Sequence, residues 1–469
     1  MPSSSRAASP LNKTLSAALA LAVAGCCLVG GLVSASPAHA DDWRDKEYWL
    51  AESGITKAWE VSKGAGVKVA VIDSGVDGTH PDLKGALVGG YDASGSGAAD
   101  GQRSVGSKPE HGTLVATMLA GRGHQPPPPT ASASPSATAT PTPAPGGVNP
   151  DGIVGVAPEA QILSVSTWLG SANPSGKSDQ DQIPEAVRWA VDNGAKVINI
   201  SLGSTNPQWP QSWDAAFLYA EQKDVVVVAA AGNRVGGSVQ VGAPATIPGV
   251  LTVAGLDRQG VASVDASSQG ISIGVAAPAE DLVGGLPGGG YAEWAGTSGS
   301  TPIVAGVAAL IRSKWPAMSA KQVINRIVTT AKDAGAPGKD PLYGYGVLNA
   351  EAALKDDVPE TTSNPLGSIA EWIRVHRRGI PATVAPAAPT EVPSAAPTLP
   401  DPTVPAAVAP SQRDSAIGAA VVIGFAVLFV LIIAVAAIQL RRTARNPALM
   451  VEEPETGAMQ RVDSGGKPG

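Results

Sequence analysis

Three side chains of the kinds that together cleave acyl bonds stand far apart in the chain: Asp73, His111 and Ser298. Asp73 closes the apolar run Val69-Ala70-Val71-Ile72, His111 opens the stretch His111-Gly112-Thr113, and Ser298 precedes the apolar stretch Ile303–Ile311. A serine hydroxyl is a weak nucleophile until a base takes its proton. An imidazole, with a pKa near neutrality, is the suited base, and a carboxylate is the group that orients it. Taken singly the signals are moderate, since an acid after a strand is commonplace and a serine before a helix is most often an N-cap. Their combination points to nucleophilic acyl transfer.

The competing residues fit this chemistry less well. His39 lies in the N-terminal leader, His80 in Thr79-His80-Pro81-Asp82-Leu83, His124 beside a Pro-rich segment and His376 beside another. Asp77, four residues past Asp73 and off the strand end, reads as a loop or capping residue. Cys26 and Cys27 are the sole cysteines, so a disulfide scaffold and a cysteine metal site in the body are excluded. The five scattered histidines nearly exclude zinc as well. Net charge is −7, from 33 basic and 40 acidic residues, so no global positive field argues for nucleic acid.

An alternating fold must bring these residues together. Short β-branched runs at Val67–Ile72, Ile162–Val165, Val197–Ile200, Val225–Ala229 and Val250–Val253 predict strands. Thr113–Leu119, Ile183–Asn193 and Trp213–Lys223 predict helices between them. Near-continuous apolar strands spaced by helices indicate an α/β domain with a mostly parallel sheet covered on both faces. Sites in such sheets collect at the carboxyl ends of strands, which places Asp73, Asn233 and the loop after Ser201 on one rim. Residues 125–150 interrupt the pattern with nine prolines among Ser, Thr and Ala, a composition with nothing to bury. They are expected to form a disordered surface insertion and not a domain boundary, because Asp73 and His111 precede them and Ser298 follows.

The chain resembles the subtilisin-like serine peptidases over roughly Val67–Ala353. The residues that carry the resemblance are Val69-Ala70-Val71-Ile72-Asp73-Ser74-Gly75-Val76-Asp77, His111-Gly112-Thr113 and Gly296-Thr297-Ser298-Gly299-Ser300-Thr301-Pro302, in the order Asp, His, Ser. Asn199-Ile200-Ser201-Leu202-Gly203, Ala229-Ala230-Ala231-Gly232-Asn233 and Pro302–Gly306 extend it. The resemblance implies a subtilisin-like three-layer fold and a triad of Asp73, His111 and Ser298. It also implies that the Asn233 amide and the Ser298 N–H bind the oxyanion, that Ser201, Leu202 and Gly203 pair with an extended polypeptide substrate, and that Ala230 and Gly232 wall the first specificity pocket. One departure is Ser300, where members usually carry alanine; a small residue still fits. Relatives often bind structural calcium, but no ligand set is matched here, so no metal or cofactor is assigned.

Both ends of the chain read as targeting signals. Arg6 and Lys13, an apolar run over Leu15–Val33 and Ala38-His39-Ala40 predict a signal peptide over residues 1–40, with cleavage before Asp41. An uncleaved membrane helix, and a lipoprotein box at Val23-Ala24-Gly25-Cys26, are the weaker alternatives. Residues 416–440 carry no charge and one amide, Gln439, and predict a transmembrane helix. Arg441, Arg442 and Arg445 then place the tail, 441–469, in the cytoplasm and the body outside the cell membrane. Between them, 358–415 reads as a segment with Trp372 and a basic cluster in a short juxtamembrane or packing helix, followed by a polyproline stalk with nine prolines in 381–410. The body itself spans 67–357.

Residues 41–66 are too few for a folded prodomain and apolar enough to pack on the body. A short N-terminal extension, Pro-rich insert, Pro-rich stalk and single C-terminal membrane helix together resemble the mycosins, membrane-anchored proteases associated with type VII secretion. That resemblance implies a secretion complex as partner, and leaves open a scaffold whose proteolysis is secondary, or a stand-alone surface protease. Mycosins commonly carry ectodomain disulfides, and this chain has no cysteine there.

Overall fold

The computed structural model describes residues 40–126 and 149–377; residues 1–39 of the expected signal peptide, most of the Pro-rich insert, the expected stalk and the expected membrane helix over 416–440 lie outside the described residues. Among the described residues no helix is long and apolar enough to cross a membrane.

Eleven strands are described, and seven of them form one sheet. They are β1 (Lys68–Asp73), β2 (Leu87–Asp92), β5 (Gln161–Ser166), β6 (Val197–Ile200), β7 (Val226–Ala230), β8 (Leu251–Leu256) and β9 (Ile273–Pro278), in the order β2-β5-β1-β6-β7-β8-β9. Every pairing within this sheet is parallel. Alternate side chains of a strand face opposite ways, and here the two faces feed two separate cores. Val69, Val71, Val197, Val226 and Val228 pack on one side, and Ala70, Ile72, Ile198, Ile200 and Ala229 on the other. This two-sided burial is why the strands read as unbroken apolar runs.

The principal helices are α4 (His111–Ala120), α5 (Asp179–Asp192), α6 (Asp214–Gln222), α7 (Thr297–Lys314) and α8 (Ala320–Thr329). The first core takes α4, α7 and α8, the second α5 and α6. Three short helices precede the sheet: α1 (Ala40–Arg44), α2 (Tyr48–Glu52) and α3 (Ile55–Ala58). They carry Trp49, Ile55 and Ala58 into the first core with no exposure, so this N-terminal stretch packs on the body as its composition predicts.

Strands β3 (Arg122–His124) and β4 (Asp151–Val154) pair antiparallel at the two feet of the Pro-rich insert. Asn149 N–H donates to the Arg122 carbonyl at 3.1 Å, and the Arg44 guanidinium reaches the carbonyls of Asn149, Pro150, Asp151 and Gly152 at 2.7–3.1 Å. The insert therefore leaves and re-enters the body at one place, as a hairpin loop does. A second hairpin, β10 (Leu282–Gly285) with β11 (Tyr291–Trp294), leads into α7.

After α9 (Ala350–Lys355), the chain continues on the body through α10 (Ile369–His376). Ile369 is buried, the Trp372 ring lies tilted against Trp209 with ring centroids 4.5 Å apart, and Arg377 donates to Asp214 at 2.8 Å. The basic, Trp-bearing segment is thus a packing helix, and the packed body runs past 357 to Arg377.

Candidate active site

Strands β1, β6 and β7 are neighbours in the sheet, and their carboxyl ends leave Asp73, Ser201 and the Ala230–Asn233 loop on one rim. Helices α4 and α7 begin at the same rim, with His111 as the first residue of α4 and Ser298 as the second of α7. Asp73, His111, Asn233 and Ser298 line one cleft, together with Ser201–Gly203, Ala230 and Gly232. Every residue assigned to the site from sequence is present in it.

Asp73 is wholly buried and its Oδ1 lies 2.7 Å from His111 Nδ1. With a proton on Nδ1 the imidazole donates to the carboxylate, which leaves Nε2 free to act as base. The Ser74 N–H donates to the same oxygen at 2.7 Å. Burial lowers the affinity of His111 for its proton, but the charge of Asp73 and its hydrogen bond outweigh this, with Glu110 also pulling up and Lys108 pushing down. The net shift is above the usual imidazole value.

Close approach of strand end and helix start explains the glycine after each motif. Gly112 N–H donates to Ser74 Oγ at 2.9 Å, and a Cβ on Gly112 would lie 2.2 Å from the Gly75 carbonyl oxygen. No side chain fits there without parting Asp73 from His111.

The Ser298 hydroxyl donates to the Ser201 carbonyl at 2.9 Å, so to serve as a nucleophile it would have to rotate from that carbonyl toward the imidazole. The Ser298 carbonyl accepts from Ser201 Oγ at 2.8 Å. Sequence explains this second bond. Within a helix the Ser298 carbonyl would accept from the residue four further on, but that residue is Pro302, which has no N–H. Ser201, itself held by Asn199 Nδ2 at 3.0 Å, supplies the missing donor and ties the nucleophile's backbone to the Ser201–Gly203 edge. Ser201→Ala leaves this carbonyl without its donor. The expected loss is about 1–3 kcal/mol of stability, read by urea unfolding.

Asn233 is oriented from one side. Its Oδ1 accepts from the Thr297 N–H at 2.9 Å and from Thr297 Oγ1 at 3.0 Å, while Thr297 Oγ1 accepts from Gly232 N–H at 3.0 Å. The Nδ2 hydrogens are thereby left for a ligand in the cleft. Gly296 has φ 134°, and a Cβ there would lie 2.7 Å from Asn233 Nδ2. Beside this amide, Ser298 contributes an N–H from the first turn of α7, one of the four that lack intrahelical partners. Both residues line the same cleft. Asn233→Ala is expected to lower kcat by about 10²–10³-fold with little change in KM, measured on a cleaved peptide.

Thr297 and Ser74 were not singled out from sequence; small hydroxyl residues are too common to stand out, although both lie inside the motifs that did. Trp294 was also missed. Its ring meets the His111 ring edge-on at 5.7 Å. Ser300, the departure from the family pattern, is buried and donates to the carbonyls of Pro278 at 2.9 Å and Ala277 at 3.2 Å, so its hydroxyl is accommodated.

A second His–Asp pair occurs elsewhere. His124 Nδ1 lies 2.7 Å from Asp82 Oδ1, as close as the pair in the cleft. Asp82 Oδ2 accepts from the Ile153 N–H at 2.8 Å, and Asp82 N–H donates to His80 Nδ1 at 3.2 Å. This pair fastens the foot of the insert to the 81–83 turn. Asp77 Oδ1 accepts from Thr79 N and Oγ1, and Oδ2 from Gly288 N, as expected of a loop residue. Among the described residues no group of three His, Cys, Asp or Glu side chains is placed to hold a metal ion.

Comparison with known proteins agrees with this geometry. The Subtilase family model (Peptidase_S8) matches residues 64–346, more than half of the chain. Fervidolysin of Fervidobacterium pennivorans is 33% identical over 358 residues, which cover 70% of this chain and 46% of fervidolysin, so the chain spans about half of that relative. Mycosin-4 of Mycobacterium tuberculosis is 33% identical over 355 residues, covering 66% of this chain and 70% of the relative. The structure of the MycP3 protease from the type VII (ESX-3) secretion system superposes with a TM-score of 0.53 at 31% identity, covering 68% of this chain and 90% of MycP3. The chain belongs to the subtilase family.

Proposed function

We propose that this protein is a mycosin-like serine endopeptidase that hydrolyses peptide bonds through an acyl-enzyme on Ser298. The carrying observation is the buried Asp73–His111 pair opening into the cleft that also holds Ser298 and the oriented Asn233 amide. The hydroxyl adds to the peptide carbonyl as its proton passes to His111 Nε2. The carbonyl oxygen gains the charge, and Asn233 Nδ2 and the Ser298 N–H receive it. Collapse expels the amine with the proton from His111, and water repeats the sequence to release the acid. Asp73 holds the tautomer and stabilises the imidazolium throughout.

Labelling of the full-length chain by a serine-directed fluorophosphonate tests the nucleophile. Wild type is expected to label and Ser298→Ala to remain unlabelled; labelling of the variant rejects the assignment.

The relation to mycosins supports a cell-surface setting, with a signal peptide over 1–40, an anchor over 416–440, the catalytic body outside and the tail in the cytoplasm. MycP3 is a protease of a type VII secretion system, and the likeness to it supports a secretion complex as partner. Co-purification of the detergent-solubilised chain with membrane components of such a system is the expected result. Purification alone, from cells that express the system, favours a stand-alone surface protease.

A further inference from the structure

The cleft is almost free of charge. Asp73 is buried against His111, and Lys108 is the remaining charged side chain among those lining it. Lys108 is exposed, three residues ahead of His111, and its ammonium makes no hydrogen bond or ion pair with any described residue. Its charge is felt at the imidazole, where it opposes the upward pull of Asp73. The nearest charged neighbours of Lys108 along the chain are of both signs: Glu110, whose charge is also felt at the imidazole, and Arg103, which donates to the Ser96 carbonyl and has no carboxylate partner among the described residues.

Topology fixes which part of a substrate meets Lys108. In the sheet, β1 lies between β5 and β6, and β7 lies beyond β6. The loop after β5 joins the Lys108 segment, since Ser107 N–H donates to the Leu169 carbonyl at 3.4 Å. Ser201–Gly203 follow β6, and Ala230–Gly232 follow β7. A substrate strand laid along Ser201–Gly203 sends successive side chains to opposite sides. If the residue whose carbonyl is attacked points to the β7 side, into the Ala230–Gly232 pocket, its upstream neighbour points to the β5 side, toward His111 and Lys108.

We infer that Lys108 selects substrates with an acidic side chain at the residue immediately upstream of the one whose carbonyl is attacked. This rests on the endopeptidase reading and adds a substrate class to it. An aspartate or glutamate there gives Lys108 a carboxylate partner at the cleft rim, and a basic residue meets like charge. The pair is solvent-exposed, so the preference is modest and screened by salt.

The test is digestion of a randomised peptide library by the full-length chain, with cleavage sites read by mass spectrometry. Wild type is expected to favour Asp and Glu over Asn and Gln at the upstream position by about three- to fivefold at low salt, and by less at high salt. Lys108→Gln should erase the preference and Lys108→Glu should turn it toward Lys and Arg, a reversal that mere damage to the cleft would not produce. An acidic preference that survives in Lys108→Gln, or its absence in wild type, overturns the inference while leaving the endopeptidase reading intact. A library left uncut by a chain that also fails to label with fluorophosphonate sinks both.

Discussion

Replacing Ser298 with alanine is expected to lower kcat on a cleaved peptide by about a millionfold, while stability changes by about 1 kcal/mol or less. The small stability term follows from what the hydroxyl does in the resting structure, where its one hydrogen bond is to the Ser201 carbonyl. The large kinetic term follows from the triad acting as a unit. Without the hydroxyl, His111 has no proton to take in the attack, and Asp73 has no imidazolium to stabilise. The residual rate, about 10³–10⁴ over water, comes from Asn233 and the α7 N-terminus, which still polarise a bound carbonyl. Two controls make the result specific. His111→Ala should fall by a similar factor, and the double variant should be no worse than either single one. A double variant that loses the product of the two factors would mean that Ser298 and His111 act separately.

The parts of the fold visible in the sequence are those where burial is symmetrical. Strands β1, β6 and β7 carry β-branched residues on both faces because both faces are covered, and their boundaries fall within a residue or two of the apolar runs. Strand β2 was not legible, because Gly89-Gly90 sits in its middle. The reason is a close approach: a Cβ on Gly90 would lie 1.9 Å from the Asp100 carbonyl oxygen. Strand β9, Ile273–Pro278, is similarly disguised by small residues in an edge position beside the Tyr343–Val347 segment.

The site divides in the same way. Asp73, His111 and Ser298 were legible because few chemistries need that set of residue types at strand and helix ends. The residues that orient them were not. Thr297 fixes the Asn233 amide and Ser201 replaces the donor that Pro302 lacks, and both tasks fall to hydroxyls whose partners lie 64 and 97 residues away in the chain. The His124–Asp82 pair shows the converse limit. Its geometry equals that of the cleft pair, so distance alone does not mark a base; the neighbouring nucleophile and the open cleft do.

Asp73→Asn is the second large effect, and its sign on pH separates two roles of the carboxylate. Expected kcat is lower by about 10⁴-fold near neutral pH. An amide at residue 73 can present its NH₂ to His111 Nδ1, which then accepts, placing the ring proton on Nε2 where no proton from Ser298 can be received. In wild type the His111 pKa is raised by Asp73 against the opposing effect of burial, so kcat/KM should rise through an acid limb lying above the ordinary imidazole value of about 6.5. For stability the sign is opposite. The raised pKa favours the folded state while the ring is protonated, below about 6.5, and that contribution is lost as pH climbs through the folded value. Removing the carboxylate takes away the main upward pull and leaves burial and Lys108 pushing down against Glu110 alone, so the residual activity of Asp73→Asn should show its acid limb at lower pH than wild type. The same variant should lose stability chiefly on the acid side. Coincident limbs in the two proteins, with kcat reduced by only a few-fold, would show that Asp73 neither charges nor orients His111.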